Sequence, residues 1–328
     1  MKMVDKNKQL LSRRDFNRLC AVLSSSFPAV ATTVDALSGA QALAAAHGVV
    51  AEGAARTVKF PDGTIVPALG QGSGEFGEGR HPEANEEEAL RTGLSLGMTL
   101  IDTAETYGTD GGSEELIGRV ISGQRDRVFL VSKVWPTNAT ESGIPRACET
   151  SLARLNTDRL DLYLLHWRDA ATDLSGVVTA FERLRAAGKI RAWGVSNFSV
   201  RDMEDLFRVP GGNHCAVNQV LYNIGKRDIE RDLLPWCQQQ NVPLMAYSPL
   251  GGPGASLLRD PALARIGVAH GCSAAAVALA WTIRSGNVIA IPNSGSAAHV
   301  KENAVALLLA LTPQDLQTLD AAHPPPHR

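Results

Sequence analysis

The stretch LDLYLLHWRDAATDLSGVVTAFERLRAAGKIRAWGVSNF, residues 160–198, decides the fold. It opens on one apolar run, Leu160–His166, and closes on a second, Ala192–Ser196. Runs this short, bounded by polar residues, read as buried strands. Between them Val177, Val178, Phe181, Leu184 and Arg185 recur at helical spacing, which predicts a helix over Leu174–Ala187 stopped by Gly188. Strand, helix, strand is a βαβ unit, whose crossover makes its two strands parallel.

The alternation continues in both directions. Further strands are predicted at Ala68–Gly72, Thr99–Asp102, Val128–Lys133, Val217–Leu221, Pro243–Tyr247 and Val288–Ile291. Helices are predicted at Pro82–Leu96, Ser113–Ile121, Gly143–Leu155, Val200–Leu206, Ile229–Gln240 (stopped by Asn241) and Pro261–Ser285, and a last pair at Ala297–Leu309 and Pro313–Ala321. Eight strands alternating with helices make an α/β protein and fit a (β/α)8 TIM barrel; a doubly wound sheet is the competing architecture. Ahead of the first barrel strand, Thr57–Phe60 and Thr64–Pro67 flank Pro61-Asp62-Gly63, a β-hairpin expected to close the bottom of the barrel. The barrel domain is expected over 57–322, after a linker at 45–56 and before a disordered tail at 323–328. Gly72-Ser73-Gly74-Glu75-Phe76-Gly77 matches the dinucleotide pattern G-x-G-x-x-G, but Glu78–Pro82 does not open a helix there, so it reads as a glycine-rich loop.

Composition narrows the function. The 328 residues carry 32 basic and 34 acidic side chains, net −2, which gives no basic excess for a nucleic-acid partner. No apolar run reaches the ~18 residues of a spanning helix, so no stable membrane insertion is expected. The five cysteines include no Cys-x-x-Cys pair, and Cys148, Cys215, Cys237 and Cys272 read as small buried apolar groups. No His-x-His stands at a strand end, so no metal site is expected and a hydrolytic metal barrel is disfavoured.

Residues 1–44 read separately. Ser12-Arg13-Arg14-Asp15-Phe16 follows a lysine-bearing start; a mildly apolar stretch, Leu19–Ala31, and the small-residue site Ala42-Leu43-Ala44 follow. The order resembles a twin-arginine export signal, which implies the export machinery as a partner, folding in the cytoplasm and a periplasmic location; an ordinary disordered tail is the alternative.

Active sites of (β/α)8 barrels are built at the C-terminal ends of the strands. Those ends carry Asp102 with Tyr107 in the loop beyond, then Lys133, His166, Ser196-Asn197, Gln219, Tyr247-Ser248 and Asn293-Ser294. A lysine ammonium beside a tyrosine hydroxyl favours the phenolate, an aspartate orients the lysine, and a neutral histidine can direct a carbonyl to the hydroxyl. Such a set protonates a carbonyl oxygen while another group delivers hydride. Taken singly, Asp102 can cap a turn, Lys133 can be a surface lysine and His166 a satisfied core histidine.

Here the sequence resembles the aldo-keto reductase family, in its bacterial branch. The resemblance rests on Asp102-Thr103-Ala104-Glu105-Thr106-Tyr107-Gly108, Val131–Val134, Leu164-Leu165-His166-Trp167, Gly188–Phe198, Asn218-Gln219, Tyr247–Leu250, Ile291–Ser294 and Lys301-Glu302-Asn303, in the family's order from about residue 57 to 322. It implies an NADPH- or NADH-dependent reductase of small-molecule carbonyls, with Tyr107 the general acid, Lys133 and Asp102 tuning it, and His166 orienting the carbonyl. It also implies that Ser196, Asn197 and Gln219 hold the nicotinamide carboxamide and that Tyr247 stacks on the ring. Gly72, Ser73, Ser248 and Leu250 would line the cofactor path, and Asn293, Ser294, His299, Glu302 and Asn303 its adenosine end. Trp135 and Trp167 are expected either as a substrate wall or as packing beneath a loop, and Trp193 as core.

The chain departs from the family in three places. NADP-preferring members carry Lys and Arg where Asn293 and His299 stand, and histidine is mostly neutral at pH 7, so discrimination for NADP is expected to be weak or reversed. Gly74-Glu75 stands where many relatives place an aromatic, and the chain stops soon after Ala322, so an open pocket is expected. Monomer is the family's default state. The alternative function is a cofactor-binding regulatory subunit on the same fold, with little turnover.

Overall fold

The computed structural model describes residues 55–252 and 256–326. The expected signal segment, 1–44, lies outside the described residues. A hairpin comes first, β1 (Thr57–Lys59) against β2 (Ile65–Pro67), with Val58 opposite Val66. Its turn closes through Asp62, whose carboxylate accepts from the Thr64 amide and hydroxyl, and through Gly63 at φ +89°. Phe60 stacks on Phe129, the first residue of a barrel strand, and Asp62 pairs with Arg191 near the start of another. The hairpin therefore covers the N-terminal ends of the strands.

Eight parallel strands follow: β3 (Gln71–Gly72), β4 (Leu100–Asp102), β5 (Phe129–Val134), β6 (Leu160–Leu165), β7 (Ile190–Ser196), β8 (Asn218–Leu221), β9 (Leu244–Tyr247) and β10 (Val288–Ala290). Each pairs with its sequence neighbours. Parallel bridges Leu69–Ala290 and Gly72–Asn293, with Gly70 N–H donating to Ala290 O at 2.8 Å, bring the two edges together as a TIM barrel. The register sets Gly72 beside Asp102 and Ser196 beside Gln219, so the polar strand ends share one rim.

The outer helices are α1 (Glu83–Ser95), α2 (Gly112–Ile121), α3 (Gly143–Arg154), α4 (Leu174–Ala186), α5 (Val200–Arg208), α6 (Leu233–Gln239), α7 (Pro261–Ala269), α8 (Ala274–Thr282), α9 (Ala297–Ala304) and α10 (Pro313–Ala322). In α4 the expected face is buried through Val177, Val178, Phe181 and Leu184, whereas Arg185 turns outward to Glu182. Ser199–Asp202 and Thr312–Asp315 form reciprocal caps on α5 and α10. Trp193 is fully buried, its indole N–H donating to Glu182 at 2.7 Å.

Three helices differ from expectation. The single helix over Pro261–Ser285 is two, α7 and α8, bent by 97°. The break falls at Gly271, φ +65°, and Ser273 starts a new helix by accepting from the Ala276 amide. The helix expected from Ile229 starts at Leu233, because Pro235 has no N–H to donate and belongs in a first turn. The helix expected to reach Leu309 ends at Ala304, and the Arg56 guanidinium holds the Ala306 and Leu309 carbonyls beyond it. The tail expected at 323–328 is tied at its first residue, His323, to Asp260 and Arg227. Cys148, Cys215 and Cys237 are buried thiols, and Cys272 is half-buried.

Gly194 shows how tightly the strands leading to the rim are packed. A Cβ there would meet Val217 O at 2.5 Å and the Val217 side chain at 2.8 Å. Gly194→Ala is expected to cost about 1–3 kcal/mol, read as a lowered urea midpoint at unchanged slope; a midpoint equal to wild type would show that β7 and β8 separate without strain.

Candidate active site

The site grows from β4 and β5. Asp102 ends β4 and Lys133 is the next-to-last residue of β5, so both side chains leave the same rim, and both are buried. Lys133 Nζ donates to Asp102 Oδ2 at 2.7 Å, to Thr103 O at 2.9 Å and to the Tyr107 hydroxyl oxygen at 3.2 Å. All three ammonium protons are thereby placed. Because the Tyr107 oxygen accepts from Lys133, the tyrosine's own proton is left to donate elsewhere. Tyr107 lines a cleft of about 780 Å³ that also reaches Asp102 and His166.

The other Asp102 oxygen accepts from Gln219 Nε2 at 2.7 Å, so β8 is tied to the same carboxylate. Burial disfavours the Lys133 ammonium, yet Asp102 and Tyr107 outweigh it and hold the lysine above its ordinary value. Burial pushes the Asp102 carboxyl up, with Lys133 and Gln219 opposing. His166 ends the β6 run, and burial, reinforced by the Lys133 charge, pushes it from the usual 6.5 down to about 3. Its Nδ1 is buried and has no partner among the described residues. The imidazole is neutral across the physiological range.

The rest of the cleft is polar along one wall. Ser196 Oγ donates to Gln219 O at 2.9 Å, Asn197 Nδ2 to His166 O at 3.2 Å, and the Tyr247 hydroxyl to Asn197 Oδ1 at 2.9 Å. Asn197 and Ser248 have positive φ, +61° and +48°, turning the chain sharply at the ends of β7 and β9. The cleft continues past Leu250 to Asn293, Ser294, His299, Glu302 and Asn303, and Gly72 lies on its wall. Ser196, Asn197 and Gln219 offer a hydroxyl and two amides together, a donor and acceptor set that fits a carboxamide, and the length of the cleft fits an extended cofactor.

Among the expected site residues Ser73 and Trp135 stand apart. Ser73 is buried, its hydroxyl donating to Asp102 O at 2.9 Å. Trp135 lines a neighbouring cleft, and its ring meets His166 edge-on at 5.0 Å and Trp167 at 4.4 Å. Trp167 lines the main cleft. Sequence reasoning missed Leu258 and Ser273-Ala274-Ala275, which also line it. The signal for the second group was present in Gly271 followed by Ser273, a helix stop and a cap.

The sequence profile of the Aldo/keto reductase family matches residues 68–324. The chain belongs to the aldo/keto reductase family. It is 50% identical over 274 residues to the methylglyoxal reductase YeaE of Escherichia coli, covering 83% of this chain and 96% of that one. It is 35% identical over 268 residues to the glyoxal reductase of Bacillus subtilis, covering 81% and 92%. A crystal structure of an aldo/keto reductase from Klebsiella pneumoniae in complex with NADP and acetate is 48% identical and superposes with a TM-score of 0.80, covering 84% and 97%. This aldo-keto reductase is therefore a nicotinamide-dependent oxidoreductase acting on carbonyls.

The neutral His166 makes stability depend on pH in a definite direction. Unfolded, it takes a proton as pH falls through 6.5; folded, it resists until about 3, so it costs the folded state stability over that window. Between pH 7 and pH 5 the wild type is expected to lose about 2 kcal/mol more unfolding free energy than His166→Asn. Equal losses in urea melts would mean that the histidine is charged in the fold.

Proposed function

We propose that this chain reduces small reactive aldehydes and α-dicarbonyls to alcohols, with Tyr107 as the general acid. The observation that carries the reading is the placement of the Lys133 protons, which directs the Tyr107 proton toward the cleft. The nicotinamide cofactor, when bound, supplies the hydride to the carbonyl carbon. Tyr107 O–H donates its proton to the carbonyl oxygen, and Lys133 stabilises the phenolate left behind without giving up a proton of its own. Asp102 keeps Lys133 in place. His166, being neutral, donates a hydrogen bond to the carbonyl oxygen and aligns it with Tyr107. Ser196, Asn197 and Gln219 hold the carboxamide and Tyr247 the ring, while Gly72, Ser248 and Leu250 line the path to the adenosine end. Trp167, backed by Trp135, walls the substrate side. The substrate class is supported by the similarity to the methylglyoxal and glyoxal reductases. It is also supported by Gly74, which leaves the space facing the Tyr107 ring free of a side chain.

The adenosine end of the cleft carries no lysine or arginine at Asn293 or His299, both exposed. NADPH is therefore expected to be favoured over NADH by less than about tenfold, or ~1.4 kcal/mol, and Asn293→Lys to widen the gap. Steady-state oxidation of both cofactors with methylglyoxal checks this, and a larger wild-type preference would overturn it. In the same assay Tyr107→Phe is expected to lower kcat by at least about a hundredfold while cofactor binding persists; turnover retained by Tyr107→Phe would remove it as the acid.

We propose further that the protein is exported folded, as a monomer, through a twin-arginine signal and works in the periplasm. The support is the order of features in residues 1–44 of the sequence. Replacing Arg13 and Arg14 together by lysine should move the protein from the periplasmic to the cytoplasmic fraction, and an unchanged distribution would refute the signal.

A further inference from the structure

The general acid sits in a loop, and a loop does not hold a hydroxyl to a fraction of an ångström by itself. Residues 103–111 connect β4 to α2 and contain three positive-φ positions, Gly108, Asp110 and Gly111. Tyr107 is the only member whose side chain reaches Lys133. Backbone bonds hold it in part, from Glu105 N–H to Lys133 O at 3.2 Å and from Thr109 N–H to Gly77 O at 3.1 Å, and its two ends are further joined by a side chain that does not line the Tyr107 cleft.

Arg154, in the last turn of α3, reaches across to it. Its Nη1 donates to the Glu105 carbonyl at 3.0 Å and pairs with Glu114 Oε2 at 3.4 Å. The guanidinium also lies directly over Gly111, so closely that a Cβ on that residue would collide with it. One planar cation therefore touches the start of the loop, its end and the first turn of the helix beyond. Glu114 is fully buried, and its other oxygen accepts from Ser132 Oγ at 2.7 Å, next to Lys133 in sequence. The Glu105 carboxylate in turn accepts from the Trp135 amide and from Asn138 Nδ2, binding the loop to the chain just after β5.

We infer that Arg154 is a positioning residue for proton transfer: by pinning Glu105, Gly111 and Glu114 together it sets the reach of the Tyr107 hydroxyl to Lys133. This rests on Tyr107 being the acid. Lysine is a poor substitute, because a point charge cannot serve the Glu105 carbonyl, the Gly111 backbone and Glu114 with one rigid plane. The site is also accessible. Arg154 lines a cleft of about 580 Å³ on the far side of Trp135, separate from the one that holds Tyr107, and its side chain is 26% exposed.

That access gives the test a readout that a merely structural residue would not move. In the full-length protein, Arg154→Ala is expected to lower kcat with methylglyoxal by at least about tenfold, as a misplaced group does, with the Kd for NADPH changed by less than about twofold. Millimolar guanidinium should restore a substantial part of that kcat in Arg154→Ala and none in Tyr107→Phe. Arg154→Lys, which keeps a charge beside Glu114, should fold even if the alanine variant does not, and should show the same selective loss of kcat. A wild-type kcat in Arg154→Ala or Arg154→Lys overturns the inference, as does loss of NADPH binding in parallel with kcat and without rescue. Tyr107→Phe separates the two readings: if it retains turnover, the acid assignment fails; if it loses turnover while the Arg154 variants keep theirs, only the role of Arg154 fails.

Discussion

The structure is organised around one buried ion pair. Lys133 and Asp102 are removed from water together, and removing either charge alone from water is costly. The pair persists because nearly every polar atom on it is used. The three Lys133 protons go to Asp102, Thr103 and Tyr107, and the two Asp102 oxygens go to Lys133 and Gln219. Three strands and one loop are thereby tied to a single charge pair. A sequence could fill the same space more stably with apolar side chains. Keeping an ion pair there sets a permanent charge beside the group at its edge, the Tyr107 hydroxyl, which is what the proposed general acid requires.

The consequences spread along the rim. Parallel register makes strand ends into neighbours, so β7 and β8 bring Ser196 beside Gln219, and Gln219 can bridge to Asp102 on β4, 117 positions earlier in the chain. Beyond the strand ends the backbone turns through left-handed conformations at Asn197 and Ser248. Asparagine tolerates that region better than most residues, and its amide is used three times, donating to the His166 carbonyl and the Ser196 hydroxyl and accepting from Tyr247. Local strain at these positions is borne by a barrel that is fixed elsewhere.

Much of this was legible in the sequence, for a physical reason. Strands of a parallel barrel are buried on both faces, so they stand out as apolar runs, and the first polar residue after each run falls on the rim. Asp102, Lys133, His166 and Tyr247 were found in that way, Gln219 was found inside a strand rather than after it, and the structure brings them together. The break at Gly271 was masked because α7 and α8 are both rich in alanine and merge into one helical pattern. Trp135 was placed beside Trp167 by its distance from a strand end; its amide, held by Glu105, points the residue into the neighbouring cleft. Arg154 and Glu114 left no signal at all. Each is an ordinary charged residue on a helix, and what they do depends on a contact across 40 positions.

The two halves of the site obey different constraints. Around Lys133 the groups are buried, mutually satisfied and fixed on strands, and small displacements there are expensive because a buried polar atom that loses its partner finds no water to replace it. Toward Asn293 and His299 the side chains are exposed and contribute no fixed cation. On the substrate side Gly74 leaves room opposite Tyr107, and Trp167 is 39% exposed. In the proposed reaction, chemistry is thus specified by the interior of the barrel, whereas selection among substrates is left to loops that contribute few directed contacts. The mechanism proposed for it then distinguishes carbonyl compounds mainly by their reactivity toward hydride and proton, because the precise groups act on the carbonyl and only the looser ones meet the remainder of the molecule.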